Sequence, residues 1–262
     1  MSDIFHFVPG SAPLLISIPH LGSIVPDELR PSMTEVGLRS GDTDWHLDRL
    51  YAFAEKLGAS FLWARYSRYV VDLNRPPNDE SLYPGQAKTG LCPTHTFDGQ
   101  PLYADGRDHI PDAERDARRA AYWDPYHAQL RDEIERLRAI HGKVLLWEAH
   151  SIASLIPRLF EGKLPDLNIG TSSGASCAPA MEAAVRRELE ACDYTWAVNG
   201  RFKGGYITRH YGAPQRNVHA IQLEMCQSTY MEERHPYAWR DGEAARVTPV
   251  VERLVRAAFE QL

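Results

Sequence analysis

The chain has 262 residues, with 35 acidic against 29 basic side chains, a formal charge of -6 and a pI near 6.0. No block of like charge breaks this balance, which argues against nucleic acid or an anionic membrane as partner and in favour of a small molecule. Four widely spaced cysteines (Cys92, Cys177, Cys192, Cys226), a start without signal-peptide character and no apolar run near the ~20 residues that span a bilayer predict reduced thiols and a cytoplasmic protein.

In chain order, the first apolar run, Leu14 to Ile18, reads as a buried strand that ends in Pro19-His20. Next, Leu47, Leu50, Tyr51, Ala54 and Leu57 recur at helical spacing, with Gly58 placed to stop the helix. That helix is expected to begin near Thr43, in Gly41-Asp42-Thr43-Asp44-Trp45-His46. Ser60 to Tyr66 and Tyr69 to Leu73 read as two further strands. Pro76 to Arg107 is rich in Pro, Gly, Asn, Asp and Thr, and a loop of that length is more often functional than incidental. Pro111 to Ile140 predicts a pair of charged helices interrupted at Pro125. Strands follow at Val144 to Trp147, Leu167 to Ile169, Tyr194 to Val198 and Ala220 to Met225, with helices at Ala180 to Cys192 and Val247 to Leu262. This alternation, in a chain long enough for one large core, predicts a single α/β domain over 1–262. Its sheet should be mixed and mostly parallel, with helices on both faces.

Chemistry gathers at the strand ends. His20 and His150 each close an apolar run, and Glu224 arrives on a third, where open α/β sheets bind ligands. Two imidazoles and a carboxylate delivered to one edge suggest a metal that activates water, with Glu224 as base. Ser23 occupies the third position after His20, and there is no His-Glu-x-x-His, so the third ligand comes from elsewhere. Asp44 is the first candidate, with Asp42 and His46 as substitutes, although an acid in a first helical turn is also favoured by the helix dipole alone. Asn74-Arg75 runs into Pro76-Pro77, a rigid turn whose guanidinium suits two-pronged capture of a carboxylate or an oxyanion; a surface salt bridge to Asp72 or Asp79 is the plainer reading. Between Arg201 and Gly212, Arg201, Lys203 and Arg209 interleave with glycines as in an anion-binding loop, or as in a solvated hairpin.

A rival lies at Gly170-Thr171-Ser172-Ser173-Gly174, which fits the G-x-S-x-G of a serine hydrolase, with Asp193 and His219 available to complete the order. Against it, Ala175 to Pro179 delay the helix that should follow at once. A non-catalytic binder of acidic amino acids would use the same arginines.

Several motifs occur together and in order: Pro19-His20-x-Gly22, Asp42-Thr43-Asp44-Trp45-His46, Asp72-Leu73-Asn74-Arg75-Pro76-Pro77, Tyr83-Pro84-Gly85, Thr89-Gly90-Leu91-Cys92-Pro93-Thr94, Asp166-Leu167-Asn168-Ile169-Gly170-Thr171 and Gln222-Leu223-Glu224-Met225. Jointly they resemble the N-formylglutamate amidohydrolase (deformylase) family of histidine degradation, over roughly Leu14 to Tyr230. The resemblance implies a zinc-carboxypeptidase-like fold and one zinc ion at the sheet edge. It also implies His20 and His150 as ligands, Asn74-Arg75 as the carboxylate-binding pair, Glu224 as the catalytic glutamate and a dicarboxylate substrate that needs a second cation. The chain departs from the wider group in lacking a glutamate three residues after His20. It also carries Glu148 where the family tends to have Asp, and this longer acid is expected to support the metal site from outside.

Overall fold

A computed structural model describes residues 4–80 and 89–262; the Tyr83-Pro84-Gly85 motif lies outside them. Seven strands form one mixed sheet in the order β1-β3-β2-β4-β7-β5-β6. They are β1 (Phe5–Val8), β2 (Leu14–Ile18), β3 (Ser60–Ala64), β4 (Val144–Ile152), β5 (Leu167–Gly170), β6 (Trp196–Val198) and β7 (Val218–Cys226). The central four, β3-β2-β4-β7, are parallel. At one edge β1 runs antiparallel to β3, and at the other the parallel pair β5-β6 runs antiparallel to β7. β2, β4 and β7 are buried along their whole length. Both their faces are covered, which is why they read as continuous apolar runs in the sequence.

Alternate residues of these strands feed two cores. Leu14, Ile16, Leu145, Trp147, Ile221 and Leu223 pack under α5 (Pro179–Glu190) and α7 (Asp241–Phe259). Leu15, Val144, Leu146, Val218 and Ala220 pack under α4 (Asp124–His141). Each fully buried aliphatic side chain in such a layer stabilises the fold by roughly 1.5–3 kcal/mol. Along β4 and β7 the α4 face changes character: Val144 and Leu146 give way to Glu148 and His150, and Val218 and Ala220 to Gln222 and Glu224. The lower half of that face is apolar core. The upper half is a buried polar edge.

Several elements differ from the sequence expectation. Tyr69 to Leu73 is buried but forms turns, not a strand. Its backbone is satisfied by irregular partners: Val70 N–H donates to Ser67 O, Asp72 N–H to Leu91 O, and Val70 O accepts from Arg118. Pro125 does not separate two helices. It sits in the first turn of α4, directly after a π-helical turn, Arg119–Trp123, that continues from α3 (Asp112–Arg118). The widened turn contains Ala121, four residues before the proline, whose carbonyl a regular helix would press against the ring. The helix expected near Thr43 starts later, as α2 (Leu47–Leu50), beyond the single turn of α1 (Glu35–Leu38), and tightens into a 3-10 turn that ends at Gly58 with φ +72°. The glycine-rich basic stretch is part helix, α6 (Tyr206–Tyr211). Among the described residues no helix is long and apolar enough to cross a membrane.

Candidate active site

His20 lies two residues past the end of β2, where its carbonyl accepts the N–H of Asp44 at 2.9 Å and so fastens the Gly41–His46 turn to the sheet edge. His150 lies inside β4, beside Glu224 of β7 in register. The rings of His20 and His150 are 4.9 Å apart. Asp44 Oδ2 stands 3.1 Å from His150 Nδ1 and 3.7 Å from His20 Nδ1. One ligand atom from each of His20, Asp44 and His150 lies within 4.8 Å of the others, and all three residues are buried.

The outer nitrogens of the two rings are held from behind. His20 Nε2 is 2.7 Å from Asp72 Oδ1, and the other Asp72 oxygen accepts from buried Arg68 at 2.6 Å. His150 Nε2 lies 3.0 Å from Asn74 Nδ2 and 3.2 Å from Glu148 Oε1. Inside the cluster, His20 Nδ1 and Asp44 Oδ1 are buried without a hydrogen-bond partner. Buried orphans are rare, and here an imidazole nitrogen and a carboxylate oxygen converge on one space. Two nitrogens, a carboxylate and outer partners that orient the rings make a donor set that fits a divalent cation.

The electrostatics agree. Burial would raise Asp44, but the hydrogen bond from His150 and the charge of both histidines outweigh it and hold the carboxyl at about 2. Burial would lower His150, yet Asp44 and Glu148 push it up to about 10. The pocket favours positive charge. Glu224 behaves in the opposite way: burial raises it to about 7, with His150 pulling it back only in part. Its carboxylate has no hydrogen-bond partner among the described residues.

The substitutes for Asp44 are engaged elsewhere. Asp42 accepts the Phe97 N–H at 2.8 Å, and burial raises it to about 6. His46 has left-handed backbone and its Nε2 meets Tyr237 O at 2.8 Å. Asp44 also precedes α2 and lies outside its first turn, so a helix dipole does not account for it. Arg75 stays 26% exposed at the side chain, bonded to Thr89 O, Thr89 Oγ1 and Asn74 O, with Nη2 3.9 Å from Asp72. Its charge helps lower Glu224. Arg209 rides on α6 and donates to Gly204 O, Arg201 turns onto Leu159 O and the Phe202 ring, and Lys203 is exposed. The serine alternative is not assembled: Ser172 sits in a left-handed turn with its N–H on Lys203 O, His219 Nδ1 accepts from Ala178 N–H, and Asp193 is exposed. No hydrogen bond joins Ser172 Oγ to His219 among the described residues.

Arg68 is absent from the sequence expectations, and Asp72 enters them as a salt-bridge partner of Arg75 and as the first residue of the Asp72-Leu73-Asn74-Arg75-Pro76-Pro77 motif. The signal for Asp72 was its place two residues before Asn74, whose N–H it accepts at 2.9 Å. Arg68 carries no such signal, since nothing in its spacing reveals a buried guanidinium behind a histidine.

A mixed α/β sheet with a buried His-Asp-His cluster and a glutamate beside it at its edge defines a class of candidate hydrolases. The family profile described as N-formylglutamate amidohydrolase matches residues 12–231, and the chain belongs to that family. It is 49% identical to the N-formylglutamate deformylase of Pseudomonas aeruginosa, over 98% of this chain and 96% of that protein. Identity to the N-formylglutamate deformylase of Pseudomonas putida is 48% over the same shares. A solved structure of N-formylglutamate amidohydrolase from Ralstonia eutropha JMP134 shares the fold, with a TM-score of 0.81, 24% identity and coverage of 99% of this chain and 97% of that one. So does a gene product of Agrobacterium tumefaciens, with a TM-score of 0.74, 19% identity and coverage of 99% and 96%.

One glycine guards the site. A Cβ at Gly205 would lie 2.3 Å from Asn74 Nδ2, although the backbone there, at φ -82°, suits any residue. Gly205→Ala is therefore expected to push Asn74 off His150 and lower kcat/KM by about 10²-fold, with the melting temperature nearly unchanged. Wild-type kinetics in this variant would show that Asn74 has no part in the site.

Proposed function

We propose that the chain catalyses metal-dependent hydrolysis of N-formyl-L-glutamate to formate and L-glutamate, with zinc as the metal. The observation that carries this reading is the convergence of His20, Asp44 and His150 beside Glu224, in a chain 49% identical to a named deformylase. His20 Nδ1, His150 Nδ1 and an Asp44 oxygen would hold the ion. When bound, it supplies Lewis acidity that lowers the pKa of a water and polarises the formyl oxygen.

The chain's own groups do the rest. Glu224 takes a proton from the attacking water as the new C–O bond forms, then passes it to the leaving nitrogen as the C–N bond breaks. Burial raises this carboxyl above the usual carboxylate range, which suits the return of the proton to the leaving nitrogen. Asp72, backed by Arg68, fixes the ring of His20, and Glu148, whose Oε1 lies 3.2 Å from His150 Nε2, does the same for His150. Arg75 and Asn74 are assigned to one substrate carboxylate, and Arg209, Lys203 or Arg201 to the other, or to the oxyanion.

The assignment of Arg75 is tested by formate release from N-formylglutamate and N-formylglutamine. The neutral analogue should be a poor substrate, because it leaves a cation unpaired. Arg75→Lys should raise KM for N-formylglutamate by about tenfold or more, since a point charge cannot replace a two-pronged contact. Equal turnover of both substrates, with the lysine variant silent, would remove Arg75 from the site.

A further inference from the structure

The turn that carries Asn74 and Arg75 has no strand ladder to hold it, yet three consecutive carbonyls on it are captured. Leu73 O accepts from His127 Nε2 at 2.8 Å, and Arg75 O accepts from Trp123 Nε1 at 3.1 Å. Between them, Asn74 O takes the Tyr206 N–H at 3.4 Å, while Asn74 Oδ1 takes the Ile207 N–H at 2.9 Å. Trp123 and His127 are four residues apart and share a helix face. Trp123 closes the π-helical turn and His127 lies in the first turns of α4. Their rings stack at 3.6 Å between centroids, with 20° between planes.

His127 is also fixed in its protonation. Leu73 O can only accept, so Nε2 carries the hydrogen, and Nδ1 faces the Tyr211 hydroxyl at 2.9 Å. Burial pushes the ring down to about 3, so it stays neutral. Neither residue touches the His-Asp-His cluster. Both end on the backbone of the turn that presents Arg75.

We propose that Trp123 and His127 are positioning residues that clamp the Leu73–Arg75 carbonyls and thereby aim Asn74 and Arg75 at a carboxylate of the substrate. This rests on the reading of Arg75 as a carboxylate-binding residue. A clamp of this kind acts on binding geometry and leaves the water-activating groups alone, so its loss should appear in KM before kcat.

The experiment is steady-state formate release from N-formylglutamate by Trp123→Phe, His127→Leu and His127→Gln, each also in an Arg75→Lys background, with melting temperature and metal content recorded. Trp123→Phe keeps a ring against His127 and loses only the N–H. It is expected to raise KM by about three- to tenfold with kcat within about twofold of wild type. His127→Leu should raise KM by about tenfold, and His127→Gln, which keeps an N–H near the ε position, should recover most of the loss. In the Arg75→Lys background Trp123→Phe should add little. If Arg75→Lys raises KM while Trp123→Phe and His127→Leu leave it unmoved, the clamp is overturned and the carboxylate reading stands. An undiminished Trp123→Phe effect without Arg75 also overturns it. If Arg75→Lys itself leaves KM unmoved, the carboxylate reading fails and the clamp falls with it.

Discussion

Replacement of Glu224 by Gln is expected to lower kcat by about 10²- to 10⁴-fold while metal content and KM stay near wild type. The amide has nearly the same shape, so β7 and its register with β4 are undisturbed, but the oxygen proposed to accept the water proton is gone. The wild-type pH profile should carry the same signature. A base works deprotonated, so activity falls as pH drops through its pKa. Burial places Glu224 at about 7, and a nearby divalent cation moves that value down, so the acid limb should lie at or below pH ~7. In Glu224→Gln that limb should vanish from the residual rate. A variant turning over within a few-fold of wild type, or keeping the limb, would take the base role away from Glu224.

Loss of either histidine should be equally severe for a different reason. His20→Ala and His150→Ala each remove one nitrogen from a three-donor site. Metal affinity should drop by more than the roughly 10- to 100-fold that loss of an outer partner costs, and activity should fall to background. The fold should persist. Asp72 keeps Arg68 at 2.6 Å when His20 is gone, and the two apolar cores do not include either ring. Metal analysis after dialysis, read beside circular dichroism, checks this. Stoichiometric metal in both dialysed variants would mean that the ion binds elsewhere.

The strands that carry the site were legible because β2, β4 and β7 are buried on both faces and end in residues that do not belong in a core. His20, His150 and Glu224 stand out against such runs. The same signal misled at Tyr69 to Leu73, where burial comes from packing under a loop and the backbone is satisfied by Leu91, Arg118 and His127 instead of a neighbouring strand. Periodicity reports burial, and burial alone does not make a strand. β1 was missed because Phe5–Val8 is a short edge strand with mixed exposure. α6 was hidden by the glycines before it, one of which is there to let Asn74 approach. The outer partners were hardest to see. Asp72 meets His20 across 52 residues, and Trp123 and His127 meet the same turn across 48 and 54. Contacts of that range leave no local pattern. Asp44 is the first candidate in the Gly41–His46 stretch, with Asp42 and His46 behind it, but only the fold brings it to both histidines.

Metal-dependent turnover of N-formylglutamate at the His20-Asp44-His150 cluster is the central proposal. Its most direct test is formate release by chelator-stripped protein titrated with zinc. The stripped protein should be inactive, and the rate should rise in proportion to added zinc and level off at one equivalent. Full turnover by metal-free protein, or no formate at any zinc loading, would contradict it.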